Sequence, residues 1–208
     1  MDSTGRIVAS MRAAAQRFGI AAPSESEIKE IIGLGLREAL EALFPDVSVG
    51  DGEKLVDLYR HEYVEASPVP APLFAGARAM VEHLCEQGYI LAVATGKNRR
   101  GLDRVLEETG LSAFFAATRC SDETRSKPHP QMLMEIMLET GFEPCQTLMV
   151  GDTEYDMKMA NACDAGPIAV SYGAHALERL LRHEPLAHFD SLEHLPSWLA
   201  EHRGTDTQ

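Results

Sequence analysis

Leu148-Met149-Val150-Gly151-Asp152-Thr153-Glu154-Tyr155-Asp156 is the stretch on which the fold turns. Three apolar residues run into a glycine and then a carboxylate. A second carboxylate follows four positions later, where a helical pattern begins. The pattern predicts a buried strand, a tight turn and a helix start. In open parallel α/β sheets, ligands bind at the carboxyl ends of strands. Two carboxylates there, Asp152 and Asp156, can hold a hard cation such as Mg2+ through oxygen. A plainer reading is equally open: Asp152 caps the helix and Asp156 favours its positive end.

Working outward, the chain alternates from Gly76 onward. Ala77, Met80, Val81 and Leu84 recur at helical spacing and stop at Gly88. Residues 89–95 form a continuous apolar run, the mark of a parallel strand covered on both faces. Helices through Leu102, Val105 and Leu106, then through Leu133, Ile136 and Met137, flank a short strand near 114–118. Strands at 147–150 and 168–171 bracket a helix through Met157 and Ala160. A mixed tail carries helices near 176–181 and 192–200. Strands alternating with helices predict an α/β fold, a doubly wound parallel sheet.

The first third reads differently. Ile7, Val8, Met11, Ala14, Ala15 and Phe18 keep helical spacing up to Gly19. Ser24 with Glu27 fits a capping box. Gly33-Leu34-Gly35 interrupts that helix, and further helices carry Leu36, Leu40 and Leu43, then Leu55, Leu58, Tyr59 and Tyr63. Pro68, Pro70 and Pro72 make a stiff, extended connection. The expected division is an all-helical unit over residues 5–70, with residues 1–4 and 71–208 forming the α/β unit.

Bulk properties narrow the function. The net charge is −13, and no basic stripe is present, which argues against nucleic acid as a partner. No apolar run approaches a membrane span or a signal peptide, so no membrane partner is expected and the cytoplasm is the expected location. Cys85, Cys120, Cys145 and Cys163 contain no C-x-x-C pair and read as reduced thiols. The eight histidines show no ligand spacing.

Two further strand ends offer polar groups. Thr95-Gly96-Lys97 can present a hydroxyl and a backbone N–H to a phosphate oxygen. In Ser126-Lys127-Pro128-His129-Pro130, two prolines fix the backbone around one lysine, so its ammonium is aimed. Each has a plain alternative as an ordinary turn.

T-G, then K-P-x-P, then G-D-T-x-x-D, in that order, resembles the haloacid dehalogenase superfamily, in particular its phosphoglycolate-phosphatase-like branch (subfamily IA) with a helical cap. The resemblance covers nearly the whole chain. It implies a Rossmann-like sheet with an inserted helical cap, matching the first third. It also implies Mg2+-dependent hydrolysis of a small phosphorylated metabolite through an aspartyl phosphate. Thr95, Gly96 and Lys97 would bind the transferred phosphoryl group. Lys127 would neutralise its charge, Asp152 would hold the metal, and Asp156 would orient the lysine and metal-bound water. A cation, a lysine and aimed amides are what phosphoryl transfer needs, because charge spreads over the equatorial oxygens. Gly33, Gly35 and Arg37 in the cap are candidates for substrate contact, with an ordinary interhelical joint as the alternative.

One motif departs from the family pattern. D-x-D-G-T, whose first aspartate is the family's nucleophile, occurs nowhere in the chain. Met1-Asp2-Ser3 lines up just after it, and no apolar strand precedes Asp2. The expectation is an N-terminally truncated phosphatase with little or no turnover and weak magnesium affinity. The resemblance also implies that the first core strand is absent between those at 89–95 and 147–150. That leaves a loosened core, a sheet gap through which copies self-associate, or another segment in its place. The alternatives are a non-catalytic phosphate-binding or scaffold protein, and another reaction of the superfamily such as phosphosugar mutation or dehalogenation.

Overall fold

The computed structural model describes residues 1–202. Four helices open the chain: α1 (Thr4–Phe18), α2 (Glu25–Ile31), α3 (Leu36–Leu43) and α4 (Val49–His61). Gly19 stops α1 in the left-handed conformation, where its N–H satisfies the Ala15 and Gln16 carbonyls. Ser24 and Glu27 form the capping box that starts α2. Met11, Ala14, Ile28, Ile31, Ala39, Leu40, Leu55 and Val56 enclose a core of their own among these helices. A π-helical turn, Glu62–Ala66, follows directly on α4. The prolines then carry the chain away.

The remainder alternates as expected: α5 (Ala77–Glu86), β1 (Leu91–Thr95), α6 (Arg99–Thr109), β2 (Phe115–Cys120), α7 (Gln131–Thr140), β3 (Leu148–Gly151), α8 (Glu154–Asn161), β4 (Gly166–Val170), α9 (Leu177–Leu181), β5 (Ala187–Phe189) and α10 (Leu195–Glu201). Helices cover both faces of the strands. Ala94 of β1 and Met149 of β3 pack on one cluster, built by Met132, Leu133 and Met137 of α7 with Met159 and Ala160 of α8. On the opposite face, Val93 meets Leu102 and Leu106 of α6, while Leu91 and Ile168 meet Leu84 and Leu195.

All strand pairs are parallel, and the strands form two sheets, β1–β2 and β3–β4–β5. Among the described residues, no backbone pairing joins β1 to β3, although both lie over α7. The inward edges of β1 and β3 are therefore open. Leu148 and Val150 are each 38% exposed, unusual for apolar residues of a strand inside this fold class.

The boundaries differ from the sequence reading in two instructive places. Tyr89 and Ile90 precede β1 because the Tyr89 N–H bonds the Leu84 carbonyl and finishes the end of α5. The three-residue β5 lies in the mixed tail, where no periodicity of that length could be read. Residues 203–208 of the expected α/β unit lie outside the described residues. No helix among the described residues is long and apolar enough to cross a membrane.

Candidate functional site

Three loops converge at the carboxyl ends of β1, β2 and β3, and their geometry starts from Gly151. An added Cβ there would collide with the side chain of Asp156, so glycine lets that carboxylate fold back against the end of β3. Thr153, not Asp152, caps α8, and it shares a capping box with Asp156. Asp156 Oδ2 accepts the Thr153 N–H at 3.1 Å and the Thr153 hydroxyl at 2.7 Å. Its Oδ1 accepts from Lys127 Nζ at 2.6 Å. Both side chains of this ion pair are buried, with 7% and 4% exposed. Buried charges at this distance fix one another's position, and the ammonium keeps donors for a further oxygen.

Asp152 is released from capping and held otherwise. Its Oδ2 accepts the Ala174 N–H at 2.8 Å, and its carbonyl accepts the His175 N–H at 3.1 Å. Gly173 packs so closely on the carboxylate that a side chain there would overlap it. Burial, reinforced by the negative Asp152, pushes the Tyr172 hydroxyl up to about 12. The Met1 ammonium lies in the field of Asp152 and Lys97, with burial lowering its pKa.

At the end of β1, the Lys97 N–H donates to Thr95 Oγ1 at 3.2 Å, so this amide turns inward onto the hydroxyl. Gly96 is close to the Gly33 and Leu34 carbonyls, an approach that a Cβ would block. The Gly35 N–H donates to Ser126 Oγ at 2.6 Å. A Cβ on Gly33, whose φ is +108°, would lie 2.8 Å from Thr153 Oγ1. The Gly33-Leu34-Gly35 joint is thus seated against all three loops at once. A cleft of about 510 Å3 beside it is lined by Leu34, Glu38, Arg125, Ser126, Lys127, Pro128 and His129.

Arg37 is not part of this assembly. It projects from the outer side of α3, more than half exposed, and pairs with Glu53 at 2.6 Å.

Several contacts around the site carry no sequence signature. The Tyr155 hydroxyl donates to the Glu30 carbonyl at 2.8 Å, and Arg179 bridges Glu30 and Glu154. His175 is buried; its Nδ1 accepts the Glu154 N–H at 3.1 Å, so Nε2 carries the proton and donates to the Lys29 carbonyl at 3.1 Å. Together these groups clasp the carboxyl end of α2 to the α/β unit. Lys97 Nζ also reaches the Tyr63 hydroxyl at 3.1 Å. Ser126 and Tyr155 sit inside motifs visible in the sequence, whereas His175, Arg179 and Tyr63 are separated from them along the chain.

Among the described residues, no group of three His, Cys, Asp or Glu side chains is gathered for a metal. What Asp152 offers is one carboxylate oxygen not taken by Ala174. That fits Mg2+, which takes one or two carboxylates and completes its shell with water and substrate phosphate.

The family model for haloacid dehalogenase-like hydrolases matches residues 1–170. The Probable phosphatase IndB of Dickeya dadantii is 30% identical over 190 residues, covering 89% of this chain and 82% of that protein. A phosphoglycolate phosphatase of Mesorhizobium japonicum is 27% identical over 181 residues, covering 83% and 79%. In three dimensions, a haloacid dehalogenase-like hydrolase from Bacteroides fragilis superposes with a TM-score of 0.85 at 22% identity, covering 93% of each chain. With the fold, the three converging loops and a family match over most of its length, this chain belongs to the haloacid dehalogenase-like hydrolases.

Proposed function

We propose that the chain carries the site of a Mg2+-dependent phosphatase acting on a small phosphomonoester of the phosphoglycolate kind. The observation that carries the reading is the buried Lys127–Asp156 pair, with the Thr95 loop and the Ser126–Lys127 loop both meeting the Gly33-Leu34-Gly35 joint. A phosphoryl group placed there meets the Lys127 ammonium and the Thr95 hydroxyl. Both stabilise charge on its equatorial oxygens, and neither needs to reorganise. Asp156 holds the ammonium in place through Oδ1 and is itself fixed by Thr153. Asp152 would hold Mg2+, which on binding supplies further charge neutralisation and orients the phosphoryl oxygens. The proposed helical cap, residues 5–70 over a core of 1–4 and 71–208, brings Gly33 against Thr153 and Gly35 against Ser126 beside the site.

The 208 residues hold no D-x-D-G-T, and little or no turnover is expected of them. The same feature favours a second reading, a phosphate-binding protein without turnover. Hydrolysis of an aryl phosphate separates the two. The chain is assayed with Mg2+ beside a version carrying an added strand that ends in D-x-D-G-T. Turnover in the extended protein supports the phosphatase reading. A well-folded extended protein without turnover supports the binding reading, and turnover in the 208-residue chain refutes the expected inactivity.

A further inference from the structure

Two cations meet at one tyrosine of the cap, Tyr63. The Arg6 guanidinium lies 5.2 Å from the centre of the Tyr63 ring, and Lys97 Nζ lies 5.2 Å from the same centre. Lys97 Nζ is also 3.1 Å from the Tyr63 hydroxyl. Neither of these cations forms an ion pair among the described residues, in a chain with 19 basic and 32 acidic residues. The adjacent carboxylates are taken: Glu62 pairs with Arg17 at 2.5 Å, and Glu65 pairs with His61 at 3.0 Å. Arg6 Nε is buried with no hydrogen-bond partner, and its Nη2 has only a 3.5 Å contact with the Ser67 carbonyl. An unsatisfied guanidinium N–H costs free energy unless a ligand completes it.

The local backbone marks the same place. Tyr63 sits on the π-helical turn Glu62–Ala66, a distortion that recurs at functional sites because it re-aims side chains. Lys97 belongs to the loop that begins with Thr95, so its ammonium stands one lysine side chain away from the phosphoryl position. A small anion between Arg6, Lys97 and the Tyr63 hydroxyl would meet two cations and a third donor, the geometry that suits a carboxylate or a second phosphate.

We infer that Arg6, Tyr63 and Lys97 form a second anion subsite, which selects short phosphomonoesters bearing a further carboxylate or phosphate. This rests on the phosphoryl site proposed above and assigns the residues that would hold the substrate's second anionic group. Arg6 is the discriminating residue, because Lys97 also borders the phosphoryl loop.

The test is calorimetric titration of the 208-residue protein with Mg2+ present. The probes are ethyl phosphate, phosphoglycolate and pyrophosphate, each run against the unchanged protein, Arg6→Gln and Arg6→Lys. Phosphoglycolate or pyrophosphate should bind at least about tenfold more tightly than ethyl phosphate, as expected for one added charge-assisted contact. Whichever is preferred identifies the second anion. Arg6→Gln should erase the preference and Arg6→Lys should restore part of it, while circular dichroism verifies folding. Equal affinities in the unchanged protein, or a preference that survives in Arg6→Gln, would overturn the subsite and leave the phosphatase reading standing. Failure of all three probes to bind would instead remove the phosphoryl site, and this inference with it.

Discussion

Lys127 Nζ and Asp156 Oδ1 stand 2.6 Å apart in the interior. The pair joins the loop before α7 to the first turn of α8. It is oriented by Thr153 on one side and free toward the site on the other.

Removing one member should harm folding more than removing both. Lys127→Ala leaves a buried carboxylate uncompensated and is expected to cost about 3–5 kcal/mol. A Lys127→Met, Asp156→Leu double variant should recover most of that, since buried pairs are often replaceable by apolar residues of similar size. Urea unfolding measures both. A double variant less stable than Lys127→Ala would contradict the account.

Gly173 acts on Asp152 through space. A methyl group at this position would push the carboxylate off the Ala174 N–H. Gly173→Ala is expected to weaken Mg2+ binding by roughly tenfold or more, the usual effect of disturbing a ligand's supporting contacts. Titration with Mg2+ reads this directly. Unchanged affinity would mean that Asp152 is not a metal ligand.

Acid should loosen the clasp on the cap. Hydrogen bonding from Arg179, with help from Lys158 and His183, holds the Glu154 carboxyl well below its ordinary value of 4.5. A depressed carboxylate contributes stability that is complete above the ordinary value and is lost as pH falls below it. The Tm advantage over Glu154→Gln should therefore be largest near neutral pH and shrink progressively below pH 4.5. An advantage that grows in acid would have the wrong sign.

The open strand edges make a dynamic prediction. β4 is paired on both sides, whereas β1 and β3 are each paired on one. Amides in Leu91–Thr95 and Leu148–Gly151 should exchange with solvent faster than those in Gly166–Val170. Equal protection in all three would require a partner at those edges, and its dependence on protein concentration would tell whether that partner is a second copy.

Local chemistry made much of this readable in the sequence. The Ser24–Glu27 capping box, the glycine stops and the apolar run into Gly151 are rules acting over a few residues, and the structure follows them. The alternation of strands and helices was legible for the same reason. The position of Arg37 was not: spacing placed it on α3, but which side of the helix faced Glu53 depended on how α3 packs on α4. The clasp of Tyr155, His175 and Arg179 on α2 joins residues more than a hundred positions apart, so no local pattern could announce it. The function of Thr153 as the helix cap, leaving Asp152 free, was ambiguous until the turn was seen.

The central claim is that the Thr95, Lys127 and Asp152 loops form one phosphoryl-binding site. It is tested most directly by measuring ethyl phosphate binding to the 208-residue chain, with and without Mg2+, beside a folded Lys127→Met variant. The account predicts Mg2+-assisted binding that weakens about tenfold or more in the variant, as expected for loss of a hydrogen bond to a charged group. No binding by the unchanged chain, or binding indifferent to Lys127, would contradict it.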